Sequence, residues 1–129
     1  MAELQVELVA PDRKVWSGTA SMVVARTLDG EIGILPGHTP VLGVLQTGSV
    51  RVDKTEGGVL LAAVDGGFLA VANDQISILA EGAELAEEID VAAAEAELTR
   101  LRGSGDADLA AQKRAEARLQ AAEGRIHAR

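Results

Sequence analysis

Residues 3–80 divide into about eight short segments, each alternating or almost wholly apolar, with turn residues between them and no stretch long enough for a helix. Such segments hide their apolar faces only against one another. A parallel α/β sheet is disfavoured, because its crossovers need helices between strands. Leu4, Val6 and Leu8 alternate with Glu3, Gln5 and Glu7, the period of a strand with one wet face, and Pro11-Asp12 then turns the chain. Residues 14–17 and 19–27 are rich in β-branched side chains and are divided by Gly18, which predicts a bulge or bend within one strand. Leu28-Asp29-Gly30 is a turn. Val41–Leu45 and residues 49–54 read as strands joined around Thr47-Gly48, and Thr55-Glu56-Gly57-Gly58 closes a hairpin. Val59–Val64 and residues 68–72 are apolar at nearly every position, which predicts a strand pair covered on both faces and interrupted at Asp65-Gly66-Gly67. Asn73-Asp74 makes a tight connection into Gln75–Ala80. The pattern predicts an antiparallel β-sandwich or flattened barrel.

The composition changes at Glu81-Gly82, and from about residue 87 alanine, glutamate, arginine and leucine form a mixture of high helix propensity. Glu87, Glu88 and Asp90 gather at the start of the first helix, where its dipole favours negative charge. Val91, Ala94, Leu98 and Leu101 mark its apolar stripe; Gly103-Ser104-Gly105 ends it, and Ser104 or Asp106 caps a second helix with the stripe Ala111, Ala115, Leu119, Ala122, Ile126. So short a break predicts an antiparallel two-helix hairpin. The fold class is therefore α+β by segments, with a β-sandwich domain over 1–86 and a helical hairpin domain over 87–129. The hairpin seam is rich in alanine, whose methyl contributes well under the ~1.5–3 kcal/mol of a large buried aliphatic side chain. Nucleation and ordering entropy oppose that gain. The hairpin is thus expected to be marginal on its own, free to rest on the sandwich, fray, or open onto a partner.

Composition narrows the function classes. Hydrophobic residues make up 47% but aromatics 2%, so small aliphatics fill the interior, with Trp16 and Phe68 as its large rings. The absence of cysteine excludes disulfides and thiolate metal sites. Acidic Glu3 and Glu7 stand where a secretory signal needs a basic start. The uncharged run 32–50 holds Pro36, Pro40 and several glycines, so it is not a lipid-exposed helix. A net charge of −8 disfavours nucleic acid and anionic lipid and leaves protein as the expected partner.

One stretch combines more backbone constraints than any other: Gly30-Glu31-Ile32-Gly33-Ile34-Leu35-Pro36-Gly37-His38-Thr39-Pro40. Two prolines fix φ and remove donors while three glycines permit positive φ, so the path is read as a rigid, irregular loop. Ile34 and Leu35 look exposed there, beside the carboxylate of Glu31 and the imidazole of His38, a mixture suited to a contact surface.

This segment resembles the hallmark of the epsilon subunit of F-type ATP synthase, Gly-acidic-apolar-Gly-apolar-x-Pro-Gly-His-x-Pro. Val15-Trp16-Ser17-Gly18 upstream and Gly66-Gly67-Phe68-Leu69 downstream match the family's flanks, and the resemblance covers essentially all of the chain. It implies a central-stalk rotor subunit on the cytoplasmic side of the cell membrane, peripheral to it, coupling the gamma subunit of the shaft to the polar loops of the membrane c-ring. Glu31, Ile34, Pro36, His38 and Pro40 are then the candidate ring contacts. It further implies helices able to extend along the shaft and restrain ATP hydrolysis, with Arg114, Arg118, Arg125 and Arg129 as candidate contacts to the alpha/beta hexamer. A solvated basic face explains those arginines equally well. Some members open the first helix with apolar-Asp-x-x-Arg-Ala, associated with binding ATP. Here Ile89 and Asp90 are present, but Ala93 replaces the arginine, so tight nucleotide binding is not expected.

Catalytic signatures are scarce. No phosphate loop and no Gly-x-Gly-x-x-Gly occurs, and His38 and His127 are the only histidines, too few for a multi-histidine metal site. A lone loop histidine is more often a hydrogen-bonded structural group than a general base. Glu31, taken alone, is an ordinary solvated carboxylate. Two rivals stand beside the rotor reading: a nucleotide-sensing module whose hairpin closes on ATP, and a β-sandwich enzyme using His38.

Overall fold

The computed structural model describes residues 2–103 and 109–127, the side chains of 125–127 excepted. The chain runs β1 (Leu4–Ala10), β2 (Arg13–Thr27), β3 (Gly30–Ile34), β4 (Val41–Leu45), β5 (Gly48–Lys54), β6 (Val59–Val64), β7 (Gly67–Ala72), β8 (Gln75–Ala80), β9 (Ala83–Leu85), a 3-10 turn at Ala86–Glu88, then α1 (Val91–Gly103) and α2 (Leu109–His127). β4, β7, β8 and β1 pair in that order on one side; β3, β2, β5, β6 and β9 form the other. β2 is 15 residues long and belongs to both, pairing first with β1 and then running between β3 and β5. Neighbouring strands are antiparallel except β1 and β8, which are parallel.

The sandwich closes on alternating small aliphatics. Leu4, Leu8, Val23, Ile34, Val50, Val52, Leu69, Ile76 and Ile78 are fully buried in one cluster. Val, Leu and Ile fit this space because the layers of a sandwich stand only ~10 Å apart.

Several expectations change. Gly18 marks neither bulge nor bend: β2 is continuous there, and the pairing irregularities fall at Leu8/Val9 and Ala20/Met22. Glycine is needed at 18 because a Cβ would stand 2.6 Å from Cζ2 of the Trp16 ring that lies over it. The first half of the 30–40 loop is strand β3, in ladder with β2. β6 and β7 do not pair, since Gly66 (φ 67°) and Gly67 (φ 120°) carry the chain from one sheet to the other. Gly67 also passes so close to β8 that a Cβ would overlap the carbonyl of Leu79. β6 is covered on both faces, with Ala62 and Val64 inward and Leu61 and Ala63 beneath the helices. β7 is not: Leu69 and Val71 point inward, but Phe68 is 54% exposed and is no part of the core.

The helices dock on β6. Leu98 and Leu101 near the end of α1 cluster with Ala111 and Ala115 near the start of α2, while Ala94 meets Ala117, Ala121 and Ala122, so the hairpin is antiparallel. α2 thereby buries a second face, Ala117 and Ala121, against Ala63 and Ala86. Asp90 caps α1 by accepting the Ala93 amide at 3.1 Å. Glu87 and Glu88 precede the helix in the 3-10 turn, and Glu88 is held by Arg13 instead, its carboxylate oxygens accepting guanidinium N–H bonds at 2.8 and 3.1 Å. The expected caps at Ser104 and Asp106 lie outside the described residues, as does the side chain of the stripe position Ile126.

Arg13 first, and the Leu85 amide second, hold the Glu88 carboxyl down at about 2 against an ordinary 4.5. A carboxyl whose folded value lies below its unfolded value stabilises above the unfolded value and loses that contribution as pH falls through the folded one. The window is therefore from about 4.5 down to about 2. Glu88→Gln should lower the melting temperature at neutral pH, modestly because both partners are exposed, and the gap to the parent chain should close by about pH 2.

Candidate functional site

The hallmark segment ends in a tight turn. His38 N–H donates to the Leu35 carbonyl at 3.1 Å across Pro36 and Gly37, and Gly37 has φ 88°. Proline second and a positive-φ glycine third is the arrangement of a type II turn, and each residue is the one its position demands. His38 Nδ1 lies 2.7 Å from the Thr39 carbonyl, which only accepts, so Nδ1 carries the proton. The imidazole thus makes a structural bond within the corner. Leu35 and Pro40 are exposed, and Pro36 and His38 half-buried.

Ile34 departs from its expected role. It is fully buried in the sandwich core, opposite Val23, so it anchors the segment from inside and presents nothing to a partner. Glu31 is exposed, but it stands at the start of β3, ~13 Å of strand away from Leu35, and is paired across the ladder with Arg26 at 3.8 Å. The structure therefore gathers Leu35, Pro36, His38 and Pro40 into one corner and leaves Glu31 on the flank.

Asp74, expected only as part of a tight connection, fixes this corner from a distant turn. Asp74, in the β7–β8 turn, accepts the Gly37 amide on Oδ1 at 2.7 Å, and its own carbonyl accepts the Gln5 amide at 2.8 Å. Asn73 and Asp74, with φ of 51° and 60°, are the non-glycine residues in the left-handed region among those described. Both belong to the few side chains that tolerate it. One residue ties the loop corner, the β7–β8 turn and the start of β1 together.

A second surface lies on the outer face of the β4-β7-β8-β1 sheet. The registers align Val44 with Phe68, Phe68 with Leu79, and Leu79 with Val9, while Leu42 opposes Ala70 one row over. Leu42 is 79% exposed, and Val44, Phe68 and Leu79 are each close to half exposed. Leu28 joins them through its amide bond to the Val44 carbonyl and is itself exposed. A contiguous row of uncovered aliphatics and an aromatic is what a soluble surface avoids unless a partner covers it.

The remaining candidates lie at the helices. Ile89 is buried under α2 and Asp90 caps α1, so both have structural work; Ala93 is exposed and brings no charge. Arg114 lies 3.9 Å from Asp65, and Arg118 pairs with Glu84 and Glu97. The Arg125 side chain and Arg129 lie outside the described residues.

The Asp74 bond makes a testable separation of strain from hydrogen bonding. Asp74→Asn keeps an acceptor and the turn; Asp74→Gly keeps the turn alone. Gly37 amide exchange should rise little in the first and by about tenfold or more in the second, as a charge-assisted bond of ~1.5–3 kcal/mol is lost. Equal exchange in both variants and the parent would show that the turn holds itself.

Comparison with known proteins agrees with this geometry. Residues 3–86 match the family model described as ATP synthase, Delta/Epsilon chain, beta-sandwich domain. An ATP synthase epsilon chain of Streptomyces griseus is 58% identical over 120 residues, covering 93% of this chain and 95% of the relative. One from Rhodococcus jostii is 52% identical over 124 residues, covering 95% and 98%. Among solved structures, a chain of the Euglena gracilis mitochondrial ATP synthase, in an OSCP/F1/c-ring assembly, superposes with a TM-score of 0.74 at 26% identity, over 99% of this chain and 81% of that one. On the sandwich match and on relatives of this identity and coverage, the chain belongs to the ATP synthase epsilon chain family.

Proposed function

We propose that this chain is a central-stalk subunit of an F-type ATP synthase that couples the gamma subunit of the shaft to the polar loops of the c-ring, performs no bond chemistry itself, and carries a hairpin that restrains ATP hydrolysis. The observation that supports it best is the presence of two distinct partner-type surfaces on one closed sandwich. The corner at Leu35, Pro36, His38 and Pro40 is small, stiff and polar-apolar, suited to short loops of the ring. The row Val44, Phe68, Leu79 with Leu42 is broad and apolar, suited to the shaft. A rigid body with a separate grip on each passes torque between them without losing it to internal motion.

Glu31 stands beside the ring corner, where its charge steers docking more than it adds affinity. The position is at the cytoplasmic face of the membrane, peripheral to it; no helix among the described residues is long and apolar enough to cross one. The acidic surface argues against nucleic acid and against direct insertion among anionic lipids. In the restraining pose the hairpin leaves the sandwich, and Arg114 and Arg118 exchange their present carboxylates for acidic loops of the alpha/beta hexamer, with Arg125 and Arg129 as further candidates. ATP is not a resident ligand in this reading, since Ala93 offers no guanidinium where the nucleotide-binding members have one.

The chain has no cysteine, so each introduced thiol is unique. In the assembled complex, His38→Cys and Leu35→Cys should crosslink to ring loops, Glu31→Cys to the ring more weakly, and Phe68→Cys to the shaft. Phe68→Asp should weaken shaft binding by at least about tenfold, or ~1.4 kcal/mol. Ring adducts formed from Phe68→Cys and absent from His38→Cys would reverse the assignment.

A further inference from the structure

The ion pairs between helices and sandwich converge on one cavity of about 460 Å³ at the junction of α2, β6, β9 and the start of β2. Arg118 dominates it. Its Nε donates to Glu84 Oε1 at 2.7 Å and Nη2 to Glu84 Oε2 at 3.4 Å, while Nη1 stands 3.7 Å from Glu97. Glu84 belongs to β9, Glu97 to α1 and Arg118 to α2, so one guanidinium, its side chain only 26% exposed, joins the sandwich and both helices. Arg114 reaches Asp65, whose Oδ1 already accepts the Thr47 hydroxyl at 3.0 Å.

The cavity does not fit a polyphosphate. Its wall carries the carboxylates of Asp12, Asp65, Glu84 and Glu88 against three guanidiniums, of which Arg13 and Arg118 are each already engaged by a carboxylate in two-point contact and Arg114 stands 3.9 Å from Asp65. A nucleotide would have to displace those pairs and meet the remaining acids.

We propose that Arg118 is the pin of a self-contained ionic latch: shared between Glu84 and Glu97, it holds the hairpin on the sandwich with no bound nucleotide and releases it when those partners are exchanged or screened. The packing beneath α2 leaves room for such a device to matter. That contact is made mostly by small residues, Ala63, Ala86, Ala117, Ala121 and Gly124, whose approach to Leu61 is so close that a Cβ would stand 3.1 Å away, with Ile89 as its large buried aliphatic and Leu61, Val91 and Leu119 only partly buried. Small side chains allow close fit but limited apolar area, so a two-point, part-buried ion pair is a larger fraction of the docking free energy here than it would be on a leucine-packed helix. Glu84 sits on the sandwich, so Arg118 loses it when the hairpin swings away to an external carboxylate, and docking and restraint of hydrolysis compete for the guanidinium.

The inference deepens the reading of the hairpin as a movable arm, and its test uses the isolated full chain, so its failure leaves the ring and shaft assignments standing. Amide exchange is followed in residues 109–124 and, as an internal control, in β5 and β8. Raising salt from about 20 mM to about 0.5 M should speed exchange in α2 by threefold or more without changing the strands. Arg118→Glu should speed α2 exchange about fivefold or more at low salt, and the exchanged pair Glu84→Arg with Arg118→Glu should restore at least half of the lost protection. ATP should leave α2 exchange unchanged. Salt-independent α2 exchange in the parent chain, no recovery in the charge-exchanged chain, or protection that appears only with ATP would each overturn the latch.

Discussion

Strand β1 hydrogen-bonds to β2 on one side and to β8 on the other, and that double pairing closes the sandwich. The parallel register with β8 is a contact between residues about seventy positions apart, so the two ends of the β region must meet before either layer is complete. Both partner-type surfaces depend on it. At one end of the sheet, the Gln5 amide reaches the Asp74 carbonyl, and Asp74 in turn fixes the Gly37 turn. Further along, β1 contributes Val9 to the apolar row through its register with Leu79.

The division of labour follows from side-chain size. In the sandwich, Leu, Ile and Val from two facing layers interdigitate, and such a core deforms little. Where the hairpin meets the sandwich, alanine faces alanine with Ile89 and a few partly buried aliphatics beside them, giving a contact that is close, shallow and set partly by charge. The proposed roles, a stiff half that carries load and a loosely seated half that can leave it, match where the large aliphatics are placed. Gly66 and Gly67 mark another economy: by crossing between sheets without a loop they turn β7 outward at Phe68, which converts an aromatic from core material into surface.

Much of this was legible in residue order. Period-two alternation marks β1, β5 and β8, and the 3-4 spacing of Val91, Ala94, Leu98 and Leu101 marks the apolar stripe of α1, buried at the last three. Ile34 was misjudged although its signal existed, since Ile32 and Ile34 alternate with Glu31, Gly33 and Leu35 as a strand with one inward face does. Phe68 was not decidable in that way: an almost wholly apolar run has no period, so nothing local says which parity faces water. The second buried face of α2 was hidden for a similar reason, because alanine on every side gives no contrast. The Asp74–Gly37 bond and the parallel β1–β8 pair have no local signature, each being a contact between distant segments.

On the proposed function, the stiff corner of the sandwich is a seat for another protein. The decisive measurement is the solvent exposure of Leu35, His38 and Pro40 in a structure of the assembled synthase. Ring loops are expected to cover these residues while the Gly37–Asp74 bond persists. The corner facing bulk solvent, with the ring seated on another part of the chain, would contradict it.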